Sequence, residues 1–567
     1  MDLKELKETK AWELYEQGRN FLRLRNVYTD TDKNYRMYNG NQWEGAKIEG
    51  IEQAQYNFIE TIVNYKVSTI NQNLWGINYS SENYDNREFR KTAEETCKLL
   101  NKRAAKVWEK DQLDFKIREI SEDACVNDEG IMYVDYDKDI HEPVNEVLLK
   151  NDIQYGNENN SDIQNQPYII ISQRKSIIEL QNMARDEGLS EEKISMIVGD
   201  NDTFEQPNED GKQEKDPNCT LVTKLWKENG KVFFSKSTRY VDIKKKTETG
   251  LTLYPVAHFN WREKKGNARG EGEVRFLIPN QLELNKTLAR MLLSVKQNAY
   301  PTKVANIDKI ANPSAINKIG GLIKVQNGAT IDDVHKVFTT IAPAQMSGDV
   351  AKTISDLIGI TRELKNSSDI ATGGINPEDA SGKAILAVQQ ASQQPMTKQV
   401  ISLKMFIEDL ARIWLDMWTT YEKDGIKLEE EKTDQNTNEN YIEVVDVPGT
   451  VLEALKAVVK VDITPKSPYD KYARELSLEN LFKAGFFNVQ KLSELEVYAK
   501  LLPDDSTMPK QDILKAVELM KEEQQKIAMI NAQAQIMQQR ANQFINNDVD
   551  AQANQVADAV NTINQEQ

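Results

Sequence analysis

Cysteine is nearly absent from this chain. Its 567 residues include three, Cys97, Cys125 and Cys219, whose spacing fits neither a paired disulfide framework nor a zinc half-site and suits a reducing, cytoplasmic setting. Histidine is as scarce: His141, His258 and His335 each stand alone, with no nucleophile motif beside them. No apolar run approaches the roughly 18 residues of a membrane span. The stretch from Met1 to Glu8 is charged where a signal peptide would be apolar, so no membrane partner is expected. No glycine-rich loop ends in Lys-Ser or Lys-Thr to cradle phosphate, and Gly270-Glu271-Gly272 followed by Arg275 fails the dinucleotide fingerprint. Asp135, Asp137, Asp139 and Glu146 fall on four positions of a calcium loop. Ile140, however, occupies the place that needs glycine, and Pro143 another. These absences predict no catalysis, no metal and no cofactor.

Basic charge is also in short supply. Acids outnumber bases by 89 to 72, for a formal net charge of −17, which argues against tight nonspecific DNA binding, since that affinity comes from Lys and Arg displacing counterions. Weak sliding contact with DNA is compatible with it. Hydrophobic residues make up 39% and charged ones 28%, so part of the chain is expected to be extended, solvated or buried only against other subunits.

What is present is organised around residues 272–421. A helix is predicted from Pro279, at home in a first turn, to Ala299, ahead of Pro301. Its apolar residues Leu284, Leu288, Met291 and Val295 form one narrow stripe, and a second helix over 347–366 repeats it with Val350, Ile354, Leu357, Thr361 and Leu364. Such stripes predict packing against one neighbouring helix. Between them, 301–345 is punctuated by Asn312-Pro313, Gly320-Gly321 and Asn327-Gly328, with strand-length runs at Lys303-Val304-Ala305 and Leu322-Ile323-Lys324-Val325. A polar loop over 367–381 ends at Ser381, which can cap the next helix. That helix is expected to reach Tyr421, about 40 residues or some 60 Å, with a kink at Pro395.

Elsewhere the reading is coarser. Residues 3–26 form a peripheral amphipathic helix, 35–43 an aromatic-rich turn, and 57–74, 92–113 and 117–127 helices. A strand is expected at 131–136, a surface loop over 151–165, a strand at 168–172 and helices over 176–186 and 190–198. Residues 199–217 read as an acidic loop, and 221–241 as a hairpin turning at Asn229-Gly230. Strands are expected at 441–445 and 458–463, a boundary at Pro465 and Pro468, and short helices over 469–522. The tail, 523–567, is rich in Gln, Asn and Ala and admits two readings. One is disorder; the other is a helix stabilised by neighbours through Ile530, Met537, Phe544 and Ala551 at steps of seven.

The order of helix, small insert, second helix, Gly/Ser/Asp loop and long helix beginning Ser381-Gly382-Lys383-Ala384 resembles the portal proteins of tailed bacteriophages. So do Tyr38-Asn39-Gly40-Asn41-Gln42-Trp43, Asn57-Phe58-Ile59-Glu60, and Tyr254-Pro255-Val256-Ala257 followed by Gly270-Glu271-Gly272. The resemblance covers roughly 12–422. It implies an α+β, mainly helical portal fold forming a twelve-fold ring. By it, 1–270 is the wing, 271–300 and 346–366 the stem helices, 301–345 the clip and 367–381 the tunnel loop. The wing spine is then 382–422, further wing strands are 423–465, and the crown is 466–522. It further implies a conduit at one capsid vertex of the virion, assembled in the host cytoplasm, for packaging, retaining and ejecting double-stranded DNA. The implied partners are the large terminase ATPase, a head-tail connector, the major capsid protein and scaffold. Candidate channel residues are Thr372, Gly373, Gly374, Ile375, Asn376, Pro377, Glu378 and Asp379 in the loop, and Lys286, Arg290 and Lys296 on the first stem helix. For those three cations, solvation or pairing with Glu283 and Asp356 is the competing reading. Clip docking falls to Lys303, Lys318, Gly320, Gly321 and Lys324. The alternative is a nucleic-acid enzyme or packaging subunit.

Overall fold

A computed structural model of the chain describes residues 8–43, 53–72, 75–81, 87–200, 218–318, 322–326, 337–341, 349–365, 394–423, 425–433, 440–447, 459–463 and parts of 477–537. The fold is mixed α+β and divides into two compact units, Met1–Pro465 and Lys466–Gln567.

In the first unit, α1 (Lys10–Leu24), α2 (Val27–Tyr38), α3 (Phe58–Ile70), β1 (Ile77–Ser81), α4 (Arg87–Lys110) and α5 (Leu113–Asn127) lead into β2 (Glu129–Asp137) and β3 (Glu142–Leu148). There follow β4 (Ile153–Tyr155), β5 (Tyr168–Ser176), α6 (Ile177–Asp186), α7 (Glu191–Ile194), β6 (Asn218–Glu228), β7 (Lys231–Ser237), β8 (Asp242–Glu248) and β9 (Val256–Asn260). The chain continues through α8 (Val274–Ala299), β10 (Thr302–Ala305), β11 (Phe338–Ile341), α9 (Asp349–Leu364), α10 (Thr397–Tyr421), β12 (Ile426–Thr433), β13 (Asn440–Val447) and β14 (Val459–Ile463). Strands pair as β3-β2-β9, β4-β5-β6-β7-β8, β1-β14, β10-β11 and β12-β13.

Local signals account for several of these elements. Thr9 caps α1 by accepting from Trp12 N at 3.3 Å, and Asn57 caps α3 by accepting from Glu60 N at 3.4 Å. The β6–β7 hairpin turns where expected, with Asn229 at φ 51° and Gly230 at φ 79°, the left-handed pair that a two-residue turn demands. The core gathers around α10, whose Leu403, Phe406, Ile407, Leu410, Trp414 and Trp418 are all buried. Its polar anchors come from distant parts of the chain: Trp414 Nε1 donates to Asn145 Oδ1 of β3 at 3.0 Å, and Asp416 accepts from the backbone of Thr252 and Leu253, between β8 and β9, at 2.8 Å each.

Four expectations are corrected. The first helix is not peripheral, because Trp12 and Tyr15 pack on Ile170 and Val222 of the five-stranded sheet. Residues 151–165 are no plain surface loop. Their Ile153 and Tyr155 are buried and form β4, the edge of that sheet, an apolar pair hidden among Asn and Asp. Tyr35 to Tyr38 are helical rather than turn. The helix expected from Pro279 begins at Val274 instead, with Pro279 inside it, for a reason given below. Pro395 lies in a short 3-10 turn, Gln394–Met396, ahead of α10; the expected helical residues 382–393 lie outside the described ones.

In the second unit, α11 (Leu492–Leu501) packs Tyr498 against Leu478, Leu502, Phe482 and Phe487. Of the expected seven-residue repeat, Ile530 and Met537 are helical and exposed.

Candidate functional site

The helices α8 and α9, with the insert between them, rise from a root of close backbone contacts and buried charge. Gly272 N donates to Asp128 Oδ1 at 2.6 Å. A Cβ on Gly272 would stand 2.8 Å from Cys125 O and 2.9 Å from Asp128 N, and one on Gly270 would stand 2.8 Å from Arg262 O. The Gly-Glu-Gly triplet is therefore there to let the α5–β2 turn touch the start of α8, not to hold a nucleotide. Gly272→Ala is expected to destabilise the first unit by about 1–3 kcal/mol through backbone displacement, read as a lowered Tm; an unchanged Tm would refute the close-approach explanation.

Next in the chain, Glu273 is buried and collects cations from separate elements. Lys66 of α3 lies 3.0 Å from it, Lys365 just beyond α9 3.0 Å, and Arg262 3.1 Å, while Trp261 Nε1 donates at 3.3 Å. Burial by itself would raise this carboxyl's pKa, but Lys66 and then Lys365 outweigh it and hold the value at about 2. This hub explains the early start of α8: tertiary pairing at Glu273 and burial of Val274 set the first turn. Pro279 sits exposed, where the one lost backbone bond leaves a carbonyl at the solvent side.

A second buried hub stands beside it. Arg269 Nε donates to Glu158 Oε2 at 3.0 Å, and Nη2 to Glu158 Oε1 at 3.1 Å and Ile153 O at 2.9 Å. Nη1 donates to Glu129, whose other oxygen meets His258 Nε2 at 2.8 Å. Burial pushes Glu129 upward, yet Arg269, followed by His258, holds it at about 2.

Along α8 the expected stripe is buried at Leu284 and Leu288, half-buried at Met291 and 58% exposed at Val295. Two polar residues on the same face are also buried, and the stripe reading overlooked them. Gln281 Oε1 accepts from Phe58 N at 3.1 Å, its Nε2 donates to Asn285 Oδ1 at 2.9 Å, and Asn285 Nδ2 donates to Gln42 Oε1 at 2.6 Å. Gln42 in turn donates to Asn57 Oδ1 at 3.0 Å. The N-terminal Asn-Gln-Trp and Asn-Phe-Ile-Glu stretches are thus tied to α8 by one chain of hydrogen bonds. The signal that could have found it is the amide pair at i and i+4 within an apolar stripe. Asn280 Nδ2 donates to Thr361 Oγ1 at 3.0 Å and joins α9 to α8, while Leu364 is 73% exposed.

Glu283, Lys286 and Arg290 line the opposite, exposed side of α8, with both cations 3.8 Å from Glu283. At that length and exposure such pairs contribute little. Lys296 is exposed as well. In the insert, β10 and β11 pair antiparallel, and Ile310 bridges Val325. The expected strand at 322–325 is reduced to that single bridge, because Asn312 takes its neighbours: its Nδ2 donates to Leu322 O and its Oδ1 accepts from Lys324 N, both at 2.7 Å. Lys303 donates to Ile316 O, and Lys318 and Lys324 are exposed. Ile310 and Val337 are buried, whereas Tyr300, Ile307, Leu322 and Ile341 are all more than half exposed. Gly320, Gly321 and the eight loop residues from Thr372 to Asp379 lie outside the described residues.

The chain matches the family model of the phage P22-like portal proteins over residues 172–562, more than half its length. It belongs to that family. No curated protein matches the chain. As a phage portal protein its role is structural and capsid-associated. The match starts within β5 and takes in both hubbed helices, the insert, α10 and the second unit; the Gln42 and Asn57 stretches precede it and reach it through Asn285.

Proposed function

We propose that the chain is the subunit of a twelve-fold portal ring at one capsid vertex of the virion, assembled in the host cytoplasm. In this reading α8 and α9 are the stem, 301–345 the clip, 367–381 the tunnel loop, 466–522 the crown, and the sheets with α10 the wing. Double-stranded DNA passes through the ring, and the exposed stripe of Lys286 and Arg290, with Lys296, faces either that DNA or a neighbouring subunit. The large terminase docks at the clip during filling, through Lys303, Lys318 and Lys324, and the head-tail connector docks there afterwards. The capsid protein and scaffold surround the wing.

The observation that supports the ring is the set of apolar side chains exposed, among the described residues, on the helix pair and insert: Val295, Tyr300, Ile307, Leu322, Ile341 and Leu364. Large apolar side chains exposed together mark a surface that associates, and further copies of the chain would cover them. No residue is assigned a catalytic role. The alternative, a nucleic-acid enzyme or packaging subunit, needs an acid cluster or a phosphate loop, and no observation favours it.

Electron microscopy of the purified protein viewed down its symmetry axis is expected to show a ring with a central opening of about 20–40 Å, the width a duplex requires. A monomer or a closed compact dimer would overturn the proposal.

A further inference from the structure

Among the described residues, one side of the five-stranded sheet is only partly covered. α1 crosses it where Trp12 meets Ile170 and Val222. Beyond α1, Tyr168 on β5 is the register partner of Trp226 on β6, and Trp226 of Phe233 on β7. Directly opposed residues project to the same side, so three aromatic rings form a row across the strands. Trp226 and Phe233 are stacked, with centroids 6.1 Å apart and planes 24° from parallel. Both are half-buried and stand outside the hydrophobic core clusters.

Lys224 lies two residues before Trp226 and so on the same side. Its Nζ is 5.6 Å from the Tyr168 ring centroid and 5.1 Å from that of Trp226. Burial, and then the charge of Lys10 at the start of α1, push the Lys224 pKa down. The other lysines along the row are matched: Lys246 pairs with Glu228, and Lys231 with Glu248. Among the described residues, no carboxylate pairs with Lys224. A half-buried ammonium without a carboxylate against it is held at a cost to the fold, and such a place is complementary to an anion.

We propose that this sheet face docks an acidic polypeptide segment of a partner protein in extended conformation. A carboxylate sits against Lys224, and an apolar side chain two residues along lies on the Trp226–Phe233 stack. Two residues of extended chain span about 6.6 Å, the same offset that separates Lys224 from Trp226 on their own strand. A nucleic-acid strand fits less well, because its repeating phosphates would meet Glu228 and Glu248 at the far end of the row.

The test uses the full-length protein and a fluorescein-labelled peptide with aspartate and phenylalanine at alternate positions, followed by anisotropy at low salt. Saturable binding is expected, weakened about tenfold or more by Lys224→Met through loss of a charge-assisted hydrogen bond, and weakened also by Trp226→Ala. Lys224→Met is further expected to raise the Tm, since it removes an uncompensated charge. Absence of saturable binding, or binding unchanged in Lys224→Met, would overturn the proposal. So would tighter binding of a labelled oligothymidylate than of the peptide, which would make the face a nucleic-acid site. Loss of ring assembly in Lys224→Glu would assign the face to a second copy of this chain, and a lowered Tm in Lys224→Met would mean that its charge already has a partner; either result also overturns it.

Discussion

Arg269→Met is expected to destabilise the first unit by about 3–5 kcal/mol, the cost of leaving buried carboxylates without their cation. Arg269 serves two of them, Glu129 and Glu158, and also satisfies the carbonyls of Lys150 and Ile153. The substitution keeps an unbranched chain of similar reach, so the loss reports charge and hydrogen bonding more than volume. Urea unfolding followed by tryptophan fluorescence is the measurement, since Trp261, Trp414 and Trp418 are buried in the same unit. The double variant Arg269→Met with Glu129→Gln is expected to recover part of the loss, because one of the stranded charges is gone and neighbours of this kind are not additive. A midpoint unchanged in Arg269→Met would show that the hub contributes nothing to the fold.

Glu273→Ala is the second large effect, also about 3–5 kcal/mol, because it leaves the buried Lys66 ammonium alone. Replacing both partners, Glu273→Met with Lys66→Met, is expected to be far milder than either single change, since apolar groups of similar volume carry no desolvation cost. The pH dependence has a definite sign. The folded pKa of Glu273 is held near 2 against an ordinary 4.5, so its contribution is fully present above the unfolded value and is lost as pH falls from about 4.5 towards 2. The difference in Tm between the wild type and Glu273→Gln should therefore be largest above pH 4.5 and close as acid is added. Its full size corresponds to about 3 kcal/mol. A difference that instead widened in acid would contradict the assignment of Lys66 and Lys365 as the cause. Because Lys365 follows directly on α9, the same variant is expected to loosen α9 from the root of α8, visible as faster amide exchange at the C-terminal end of α9.

Features written in neighbouring residues were legible beforehand. The stripe of Leu284 and Leu288, the Asn229-Gly230 turn and the strands β2 and β5 all follow from periods of 2 or 3.6 and from turn chemistry, which act over a few residues. The start of α8 did not follow, because Pro279 is a sound first-turn signal that Glu273 overrides from outside the helix. Nor did β4, whose three residues carry too little pattern to stand out from the Asn-rich run around them. The two charge hubs were out of reach for the same reason on a larger scale. Arg269 meets Glu129 across 140 positions of chain and Glu158 across 111, and among so many acids no local spacing distinguishes these two.

By itself, then, the amino-acid sequence determined the period and order of the elements, hence the paired helices with an insert and the portal-like succession, because hydrophobic repeat and chain punctuation are local properties. Only the tertiary structure decided which acids are buried and which cations hold them, that the Gly-Glu-Gly triplet is a packing device, and that Tyr168, Trp226 and Phe233 stand in one row. Strand register, helix docking and the low-dielectric setting that gives a charge pair its strength exist only once distant segments have come together.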